Sequence, residues 1–259
     1  LEVSTTKYPF SAWKVPYIHN AFENVAATIS GIESAYRILK KKNKIKKEIK
    51  FLAFAGDGGT YDIGLQALSG ALERGHDFVY VCYDNEAYMN TGYQRSSATP
   101  IYASTTTDPI GKIRKGKQEY RKDLTKIIAM HNIPYVAQTS PAFYQDLITK
   151  VQKAFTIKGP TFLNIISPCV LGWNYNPNLS IKLAKLAVET CFWPLYEIEN
   201  GNYKLNYKPK QKLPIIEFIK LQGRFKHLLL EENKVLIKKI QDNIDFEWNK
   251  LLKLCNQKV

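Results

Sequence analysis

The sequence is organised around Phe51-Leu-Ala-Phe-Ala55, which runs directly into Gly56-Asp57-Gly58-Gly59. The first five residues are a short apolar run of strand length, bounded by glycine. A helical pattern follows from about Tyr61, so the segment predicts a strand, a glycine-rich turn and a helix. Such a turn lets the backbone approach a phosphate closely, and the helix N-terminus adds N–H donors and the positive end of its dipole.

A second apolar strand is predicted at residues 78–83, and it runs into Asp84 and Asn85. In an open parallel sheet, the carboxyl ends of neighbouring strands share one crevice. Asp57 places a carboxylate beside the predicted phosphate site, where a diphosphate would need Mg²⁺ as its counter-ion. We therefore expect Asp57 and Asn85 to meet across a bound metal ion.

Two motifs in this region carry a resemblance to a known family. Gly56-Asp57-Gly58, followed by residues 59–84 and then Asn85, resembles the motif that binds thiamine diphosphate and Mg²⁺. The continuation NEAYMNTGYQRSSATP, which starts at Asn85, is similar to the beta subunits of the 2-oxoacid:ferredoxin oxidoreductases, most of all the pyruvate enzymes. The resemblance covers nearly the whole chain. It implies an α/β thiamine diphosphate-binding fold, a mostly parallel sheet with helices on both faces.

The resemblance assigns metal ligands and backbone donors. Asp57 and Asn85 are the expected side-chain ligands of Mg²⁺, and the carbonyl of Ala87 is the matching third protein ligand. The expected backbone donors to the diphosphate are Gly56, Gly58 and Gly59.

The loop that follows the second strand is the other predicted part of the site. Asn90, Thr91 and Gly92 provide an amide, a hydroxyl and a flexible backbone, a set that suits contact with a carboxylate or a diphosphate. In the family, the residue matching Asn90 lies near the substrate and the thiazolium ring. We therefore expect Asn90 to be catalytic and both Asn90 and Thr91 to contact the cofactor.

Cys169 follows the strand predicted at residues 161–166, in a turn flanked by proline and glycine. One cysteine alone is a poor signal for an iron–sulfur cluster, because ligation needs four. The family's fourth [4Fe–4S] ligand lies in a matching PC-x-x-GW segment, which implies that Cys169 is a cluster ligand. The family also has a CxGC pair and a further cysteine ahead of the segment that matches LEVSTT. None of these is present, so we expect an N-terminally truncated chain with an incomplete cluster site.

The family's chemistry is the oxidative decarboxylation of pyruvate with coenzyme A to acetyl-CoA and CO₂, with electrons passing through [4Fe–4S] centres to ferredoxin. The resemblance implies that the chain acts with alpha, gamma and delta subunits, and that the alpha subunit supplies the activating glutamate. A branched-chain or other 2-oxoacid is the alternative substrate. A basic binding protein, in which the GDG segment is only a turn, is the alternative from another class.

The composition fits one large α/β domain with extensions, because the chain has 259 residues of which 45% are hydrophobic. We expect a cofactor-binding domain at residues 1–190 and a C-terminal extension at residues 191–259, formed by a hairpin around Asn200-Gly201 and lysine-rich helices. The sequence has no apolar run of about 18 residues and no signal-peptide pattern. These absences predict a cytoplasmic protein without membrane contact.

The formal net charge is +14, and many lysines lie between Lys40 and Lys50. Arginine is scarce and aromatic residues do not alternate with this basic run, so no nucleic-acid partner is predicted. A solvated, lysine-rich surface is the simpler interpretation. The alternative is a docking face for an acidic electron carrier such as ferredoxin.

Periodicity predicts further helices at residues 21–39, 118–130, 141–155 and 179–190. Gly31, inside the first of them, predicts close packing against a neighbouring element. His76 and His227 are predicted at the surface. Cys82 and Cys191 are predicted in the core, since Cys82 lies in an apolar strand and Cys191 near the end of an amphipathic helix.

Overall fold

The computed structural model describes residues 13–256, and a single six-stranded sheet forms its centre. The strands are β1 (Phe51–Gly56), β2 (Phe78–Asp84), β3 (Tyr135–Thr139), β4 (Thr161–Ile166), β5 (Tyr196–Glu199) and β6 (Asn202–Leu205). They lie in the order β1-β2-β4-β3-β5-β6. The first four pair in parallel, β5 pairs antiparallel with β3, and β6 pairs antiparallel with β5. The predicted mostly parallel sheet is therefore confirmed.

Helices pack around this sheet. The α-helices of the described residues are α1 (Val25–Lys41), α2 (Leu65–Glu73), α3 (Leu124–Ala129), α4 (Tyr144–Thr156), α5 (Val170–Trp173), α6 (Ser180–Glu189), α7 (Ile216–Ile219) and α8 (Lys234–Asn256). Within residues 13–256, no helix combines the length and the apolar character that crossing a membrane requires.

The two faces of the sheet bury separate cores, because successive side chains of a strand point to opposite faces. Phe78, Tyr80 and Cys82 of β2 belong to the larger core, which also includes residues of α1, α2, α6 and α8. Val79 and Val81 belong to a smaller core, which α4 covers. The burial of β2 on both faces explains its continuous apolar sequence.

The predicted hairpin around Asn200 and Gly201 is confirmed, and both residues have the positive φ angles of a tight turn, 48° and 82°. Its first strand, β5, pairs with β3, with Glu199 opposite Tyr135. The hairpin therefore continues the central sheet. The division of the chain after residue 190 stays a prediction.

The helix expected at residues 118–130 is much shorter in the structure, where only α3 is helical. Asp123 caps α3 by accepting a hydrogen bond from the backbone N–H of Lys126. The preceding segment is not helical. Its Arg121 and Lys122 side chains instead reach Asp84 and the carbonyl of Tyr61. These long-range contacts replace the local ones that a helix would make.

Three predictions about single residues are wrong. His76 is buried, with Nδ1 2.7 Å from a carboxylate oxygen of Glu33. His227 is buried too, with Nε2 3.2 Å from the carbonyl of Lys115. A Cβ added to Gly31 would have no neighbouring atom within 4 Å, so this glycine does not serve close packing.

Candidate functional site

The sheet brings the ends of β1 and β2 together. Gly56 lies opposite Tyr83 in the parallel register, so Asp57 and Asp84 follow at the same edge. Asn85 continues from β2 into the long loop. The two segments that the sequence singled out therefore meet at the carboxyl edge of the sheet, as expected for an open α/β sheet.

Asp57, Asn85 and Ala87 meet at this edge. One end of the Asn85 amide lies 2.8 Å from Oδ1 of Asp57 and 2.8 Å from the carbonyl oxygen of Ala87. With the amide nitrogen at this end, Asn85 donates two hydrogen bonds. With the amide oxygen there, oxygens of three residues converge and need a cation between them. An amide can present either atom, so this corner suits both a metal-free and a metal-bound state.

Asp57 is almost completely buried, with 1% of its surface exposed. Burial raises its pKa well above the ordinary value, and the charge of Asp84 raises it further. The Ser96 hydroxyl donates a hydrogen bond to Oδ2 of Asp57 and acts in the opposite direction. A divalent cation at Oδ1 would favour the charged carboxylate. A cation at this corner would therefore offset the cost of ionising the buried carboxylate.

Asp84 anchors the start of the loop from inside the protein. It accepts hydrogen bonds from the Tyr61 hydroxyl at 2.5 Å and from Nη2 of Arg121 at 2.6 Å. Burial raises the pKa of Asp84 to about 6, although the charge of Arg121 opposes the shift. Its Oδ1 also accepts a hydrogen bond from the backbone N–H of Glu86. Asp84 thus fixes the backbone that carries Asn85.

The glycine-rich segment is helical rather than an open turn, which corrects the prediction. A π-helical turn, Gly58–Asp62, begins directly after Asp57. A Cβ on Gly58 would lie 2.2 Å from the ring of Tyr88, and one on Gly59 would lie 2.9 Å from the Phe22 carbonyl oxygen. Close packing within the protein already requires both glycines. Their role, with Gly56, as donors to a diphosphate stays a prediction.

The turn of Asn90, Thr91 and Gly92 lies at the surface, between Tyr88 and Gln94, which form a short antiparallel bridge. The Thr91 hydroxyl donates a hydrogen bond to the side-chain oxygen of Gln94 at 2.5 Å. This contact holds the turn in shape and leaves the Asn90 side chain exposed. The catalytic role of Asn90 and the cofactor contact of Thr91 stay predictions.

Cys169 lies half-buried at the start of α5, where its Sγ accepts a hydrogen bond from the backbone N–H of Gly172. Its segment packs against the loop that follows β2, because Nε1 of Trp173 donates a hydrogen bond of 2.8 Å to the carbonyl of Asn85. Cys82 and Cys191 are buried in the core, as predicted.

An iron–sulfur cluster does not fit the residues of this chain alone. Within residues 13–256, no three His, Cys, Asp or Glu side chains are arranged to hold a metal ion. The corner at Asp57 is not a group of this kind, because two of its three oxygens come from the Asn85 amide and the Ala87 carbonyl. Cys169 as one cluster ligand stays a prediction.

Ser96 and Thr99 lie in the motif that resembles the family, but their sequence pattern alone predicts no role for them. Thr99 donates a hydrogen bond of 2.6 Å to the carbonyl of Glu86, and its Oγ1 accepts one from the backbone N–H of Ser96. Lys117 donates to the carbonyl of Thr99 at 2.6 Å, and burial lowers the pKa of this lysine to about 8. The QRSSAT segment therefore supports both Asp57 and the backbone at Glu86.

Comparison with known families defines the class of protein. Residues 3–165 match the thiamine pyrophosphate enzyme, C-terminal TPP binding domain. This range includes Asp57, Asn85 and Ala87, and it ends in β4. The chain therefore contains the thiamine diphosphate-binding fold that the sequence predicted.

The curated relatives identify the family within this class. The chain is 53% identical over 257 residues to pyruvate synthase subunit PorB of Thermotoga maritima, covering 98% of the chain and 79% of the relative. It is 52% identical to the PorB subunit of Methanocaldococcus jannaschii, covering 95% and 82%. It is also 48% identical to ketoisovalerate oxidoreductase subunit VorB of Pyrococcus abyssi, covering 96% and 79%. The chain belongs to this family, the beta subunits of the 2-oxoacid:ferredoxin oxidoreductases.

Proposed function

We propose that this chain binds thiamine diphosphate through Mg²⁺ and takes part in the oxidative decarboxylation of pyruvate to acetyl-CoA and CO₂. The observation that carries this proposal is the convergence of Asp57, Asn85 and the Ala87 carbonyl within 2.8 Å contacts. Carboxylate, amide and carbonyl oxygens are the hard ligands that Mg²⁺ prefers. Pyruvate is favoured because the PorB relatives are 53% and 52% identical to the chain.

A branched-chain 2-oxoacid is the second candidate substrate. The VorB relative is 48% identical, only slightly less similar than the PorB relatives. The corner formed by Asp57, Asn85 and the Ala87 carbonyl, here termed the metal corner, would hold the diphosphate end of the cofactor and not the substrate side chain. Metal binding therefore does not discriminate between the two substrates, and competing substrates must be compared directly.

The residues of the chain act by holding and orienting the cofactor. Asp57 and Asn85 would present side-chain oxygens to Mg²⁺, and Ser96 keeps the Asp57 carboxylate in place. The Gly58 and Gly59 backbone would face the diphosphate. Thiamine diphosphate, when bound, supplies the carbon nucleophile that adds to the 2-oxo group and permits loss of CO₂.

Electron transfer and assembly complete the proposal. Cys169 would contribute one ligand to a [4Fe–4S] cluster whose other thiolates are not supplied by the cysteines of these 259 residues. A complete cluster would supply one-electron transfer chemistry toward ferredoxin, and coenzyme A is the expected acceptor of the acetyl group. Alpha, gamma and delta subunits would provide the remaining parts, among them the activating glutamate.

The lysine-rich run lies far from Cys169, which weakens the case for this run as a ferredoxin docking face. Lys41, Lys42 and Lys44 are exposed, but they precede β1 and so lie toward the amino edge of the parallel strands. Cys169 follows β4 at the carboxyl edge. A strand of six residues spans about 20 Å. Docking at the lysines stays a prediction, which salt-insensitive ferredoxin reduction would contradict.

The decisive experiment replaces the buried carboxylate. In the natively assembled protein, we expect Asp57→Ala to abolish retention of thiamine diphosphate and Mg²⁺, measured as cofactor content after desalting. Asp77→Ala is the matched control, because Asp77 is half-exposed, pairs with Lys50 and precedes β2 at the amino edge. Full cofactor content in Asp57→Ala would refute the metal assignment.

Substrate choice is tested separately. We expect the wild-type protein to turn over pyruvate with a higher kcat/KM than 2-oxoisovalerate, with reduction of ferredoxin followed by absorbance. A higher kcat/KM for 2-oxoisovalerate would select the branched-chain alternative and leave the metal assignment intact.

A further inference from the structure

Glu86 lies between the two expected metal ligands Asn85 and Ala87, and its backbone is strained. Its φ of 69° falls in the left-handed region, which a residue with a Cβ adopts only at a cost. This conformation turns the chain so that the Asn85 amide comes within 2.8 Å of the Ala87 carbonyl oxygen. The alignment of both ligands therefore depends on holding Glu86 in an unfavourable conformation.

Two arginines hold the Glu86 side chain, which is completely buried. Nη1 of Arg121 donates to Oε1 at 2.9 Å, and Nη2 of Arg224 donates to Oε2 at 2.6 Å. Each carboxylate oxygen thus has its own charged donor. Such charge-assisted hydrogen bonds are stronger than neutral ones, and they offset the cost of burying the charge.

Arg224 comes from a segment 138 residues further along the chain. It lies in a 3₁₀-helical turn, Gly223–Leu229, and is itself buried. Its guanidinium lies 4.1 Å from the ring of Trp173, and Nε donates a 2.8 Å hydrogen bond to the side chain of Gln222. Stacking and hydrogen bonding together leave the guanidinium a single orientation.

Arg224 reaches Asn85 by a second route. The Trp173 ring on which it stacks donates the hydrogen bond from Nε1 to the carbonyl of Asn85 at 2.8 Å. One guanidinium therefore supports two neighbouring residues, Glu86 through an ion pair and Asn85 through the indole.

We propose that Arg224 is a positioning residue for the metal, which fixes Glu86 and Trp173 and thereby sets the Asn85 and Ala87 oxygens at the spacing Mg²⁺ requires. The inference rests on the proposed function, since it concerns the same metal corner. It makes the 3₁₀-helical turn near the C-terminus part of the metal site. Mg²⁺ demands nearly ideal octahedral geometry, whereas Ca²⁺ accepts irregular sites, so loosening the loop weakens Mg²⁺ binding more.

The test is Arg224→Met in the natively assembled protein, which keeps the side-chain length and removes the charge. With thiamine diphosphate present, we expect the dissociation constant of Mg²⁺ to rise at least 10-fold. The dissociation constant of Ca²⁺ should rise by a factor at least three times smaller than the factor for Mg²⁺. The KM for Mg²⁺ rises likewise, and saturating Mg²⁺ restores kcat to within twofold. These readouts separate positioning of the ligands from a general loss of folded protein.

Arg37→Met is the matched control, because Arg37 also pairs with a buried carboxylate, Glu33, toward the opposite edge of the sheet. We expect it to leave both metal affinities unchanged. If Arg224→Met is not recovered folded, Arg224→Lys carries the same test, since an ammonium keeps the charge but cannot stack and donate as a planar fork.

Two results would overturn the inference. One is an unchanged Mg²⁺ dissociation constant in the folded variant. The other is an equal loss of Mg²⁺ and Ca²⁺ affinity with a kcat that saturating Mg²⁺ does not restore. Failure of the wild-type protein and of Arg37→Met to bind Mg²⁺ would instead show that the proposed function is wrong, which keeps the two failures distinct.

Discussion

Ser96 and Asp57 are 39 positions apart in the sequence, yet the Ser96 hydroxyl donates a hydrogen bond directly to Oδ2 of the buried Asp57 carboxylate. Oδ1 is left to face Asn85. The same Ser96 oxygen accepts a hydrogen bond of 3.1 Å from the backbone N–H of Ala98. The two carboxylate oxygens therefore have separate partners: Oδ2 fixes the side chain, and Oδ1 faces Asn85 at the proposed metal site.

Ser96→Ala tests this division of roles. Removing the hydroxyl leaves Oδ2 of Asp57 buried without its donor, and a hydrogen bond to a charged group contributes about 1.5–3 kcal/mol. We expect the Mg²⁺ dissociation constant to rise about 10-fold or more, measured by titration with thiamine diphosphate present. Ser97→Ala is the control, because Ser97 contributes a backbone N–H to Asp62 and a carbonyl to Lys117, which alanine retains. Equal affinities in the two variants would contradict this role of Ser96.

The same substitution at two glycines should have opposite effects on stability. At Gly58, a Cβ would lie 2.2 Å from the Tyr88 ring, so Gly58→Ala should destabilise the protein by about 1–3 kcal/mol through overpacking. At Gly31, in the interior of α1, a Cβ meets nothing within 4 Å. Gly31→Ala should therefore stabilise the protein by about 0.5–1 kcal/mol. Chemical denaturation of both variants gives the comparison, and a loss of stability in Gly31→Ala would refute the second expectation.

Strands were predictable because their apolar runs are local. The run at residues 161–166 coincides with β4, and the run at residues 78–83 lacks only Asp84 of β2. The meeting of Asp57 and Asn85 was predictable too, since parallel strands end at one edge. In each case, the signal lies within a few residues of the feature that it predicts.

The supporting residues could not be predicted, because their partners are distant in sequence. Glu86 and Arg224 are 138 positions apart, and neither forms a local pattern with the other. His76 looked like an exposed loop residue, but its partner Glu33 lies on a helix 43 positions earlier. Only the tertiary structure brings such pairs together, and it buries polar residues that the sequence places in loops.

Asn85→Asp should make stability dependent on the metal. Burial, and then the charge of Asp84, already raise the pKa of Asp57, and a further carboxylate 2.8 Å away would add repulsion at the same corner. Without metal, we expect the Tm to fall by about 5 °C, as 1–3 kcal/mol would cause in a domain of this size. Mg²⁺ with thiamine diphosphate should raise the Tm of Asn85→Asp more than that of the wild type.

Asn85→Leu is the control for this comparison of Tm values, which calorimetry measures. Leucine has no side-chain oxygen that could bind the metal. Its Tm should respond to Mg²⁺ less than that of the wild type. If Asn85→Asp and Asn85→Leu respond equally to Mg²⁺, position 85 does not contribute a ligand.

Glu197 should make the sheet sensitive to acid. Burial opposes its ionisation, but hydrogen bonds from Tyr135 and Lys204 and the charge of Lys153 lower the pKa of Glu197 from 4.5 to about 2. A lowered pKa stabilises the folded protein above the ordinary value of 4.5, and this contribution is lost as the pH falls from 4.5 to about 2. We expect a loss of about 2 kcal/mol. This is less than the full pKa shift would give, because solvent screens the exposed Lys204.

Glu197→Gln should flatten the pH dependence of the free energy of unfolding below pH 4.5, measured by urea denaturation at several pH values. Glu199→Gln is the matched control, because Glu199 lies two residues away, pairs with the same Lys153 and is about half exposed. Its profile should follow that of the wild type, since an exposed ion pair contributes little. If Glu197→Gln retains the full acid-induced loss of stability, carboxylates elsewhere in the chain cause it.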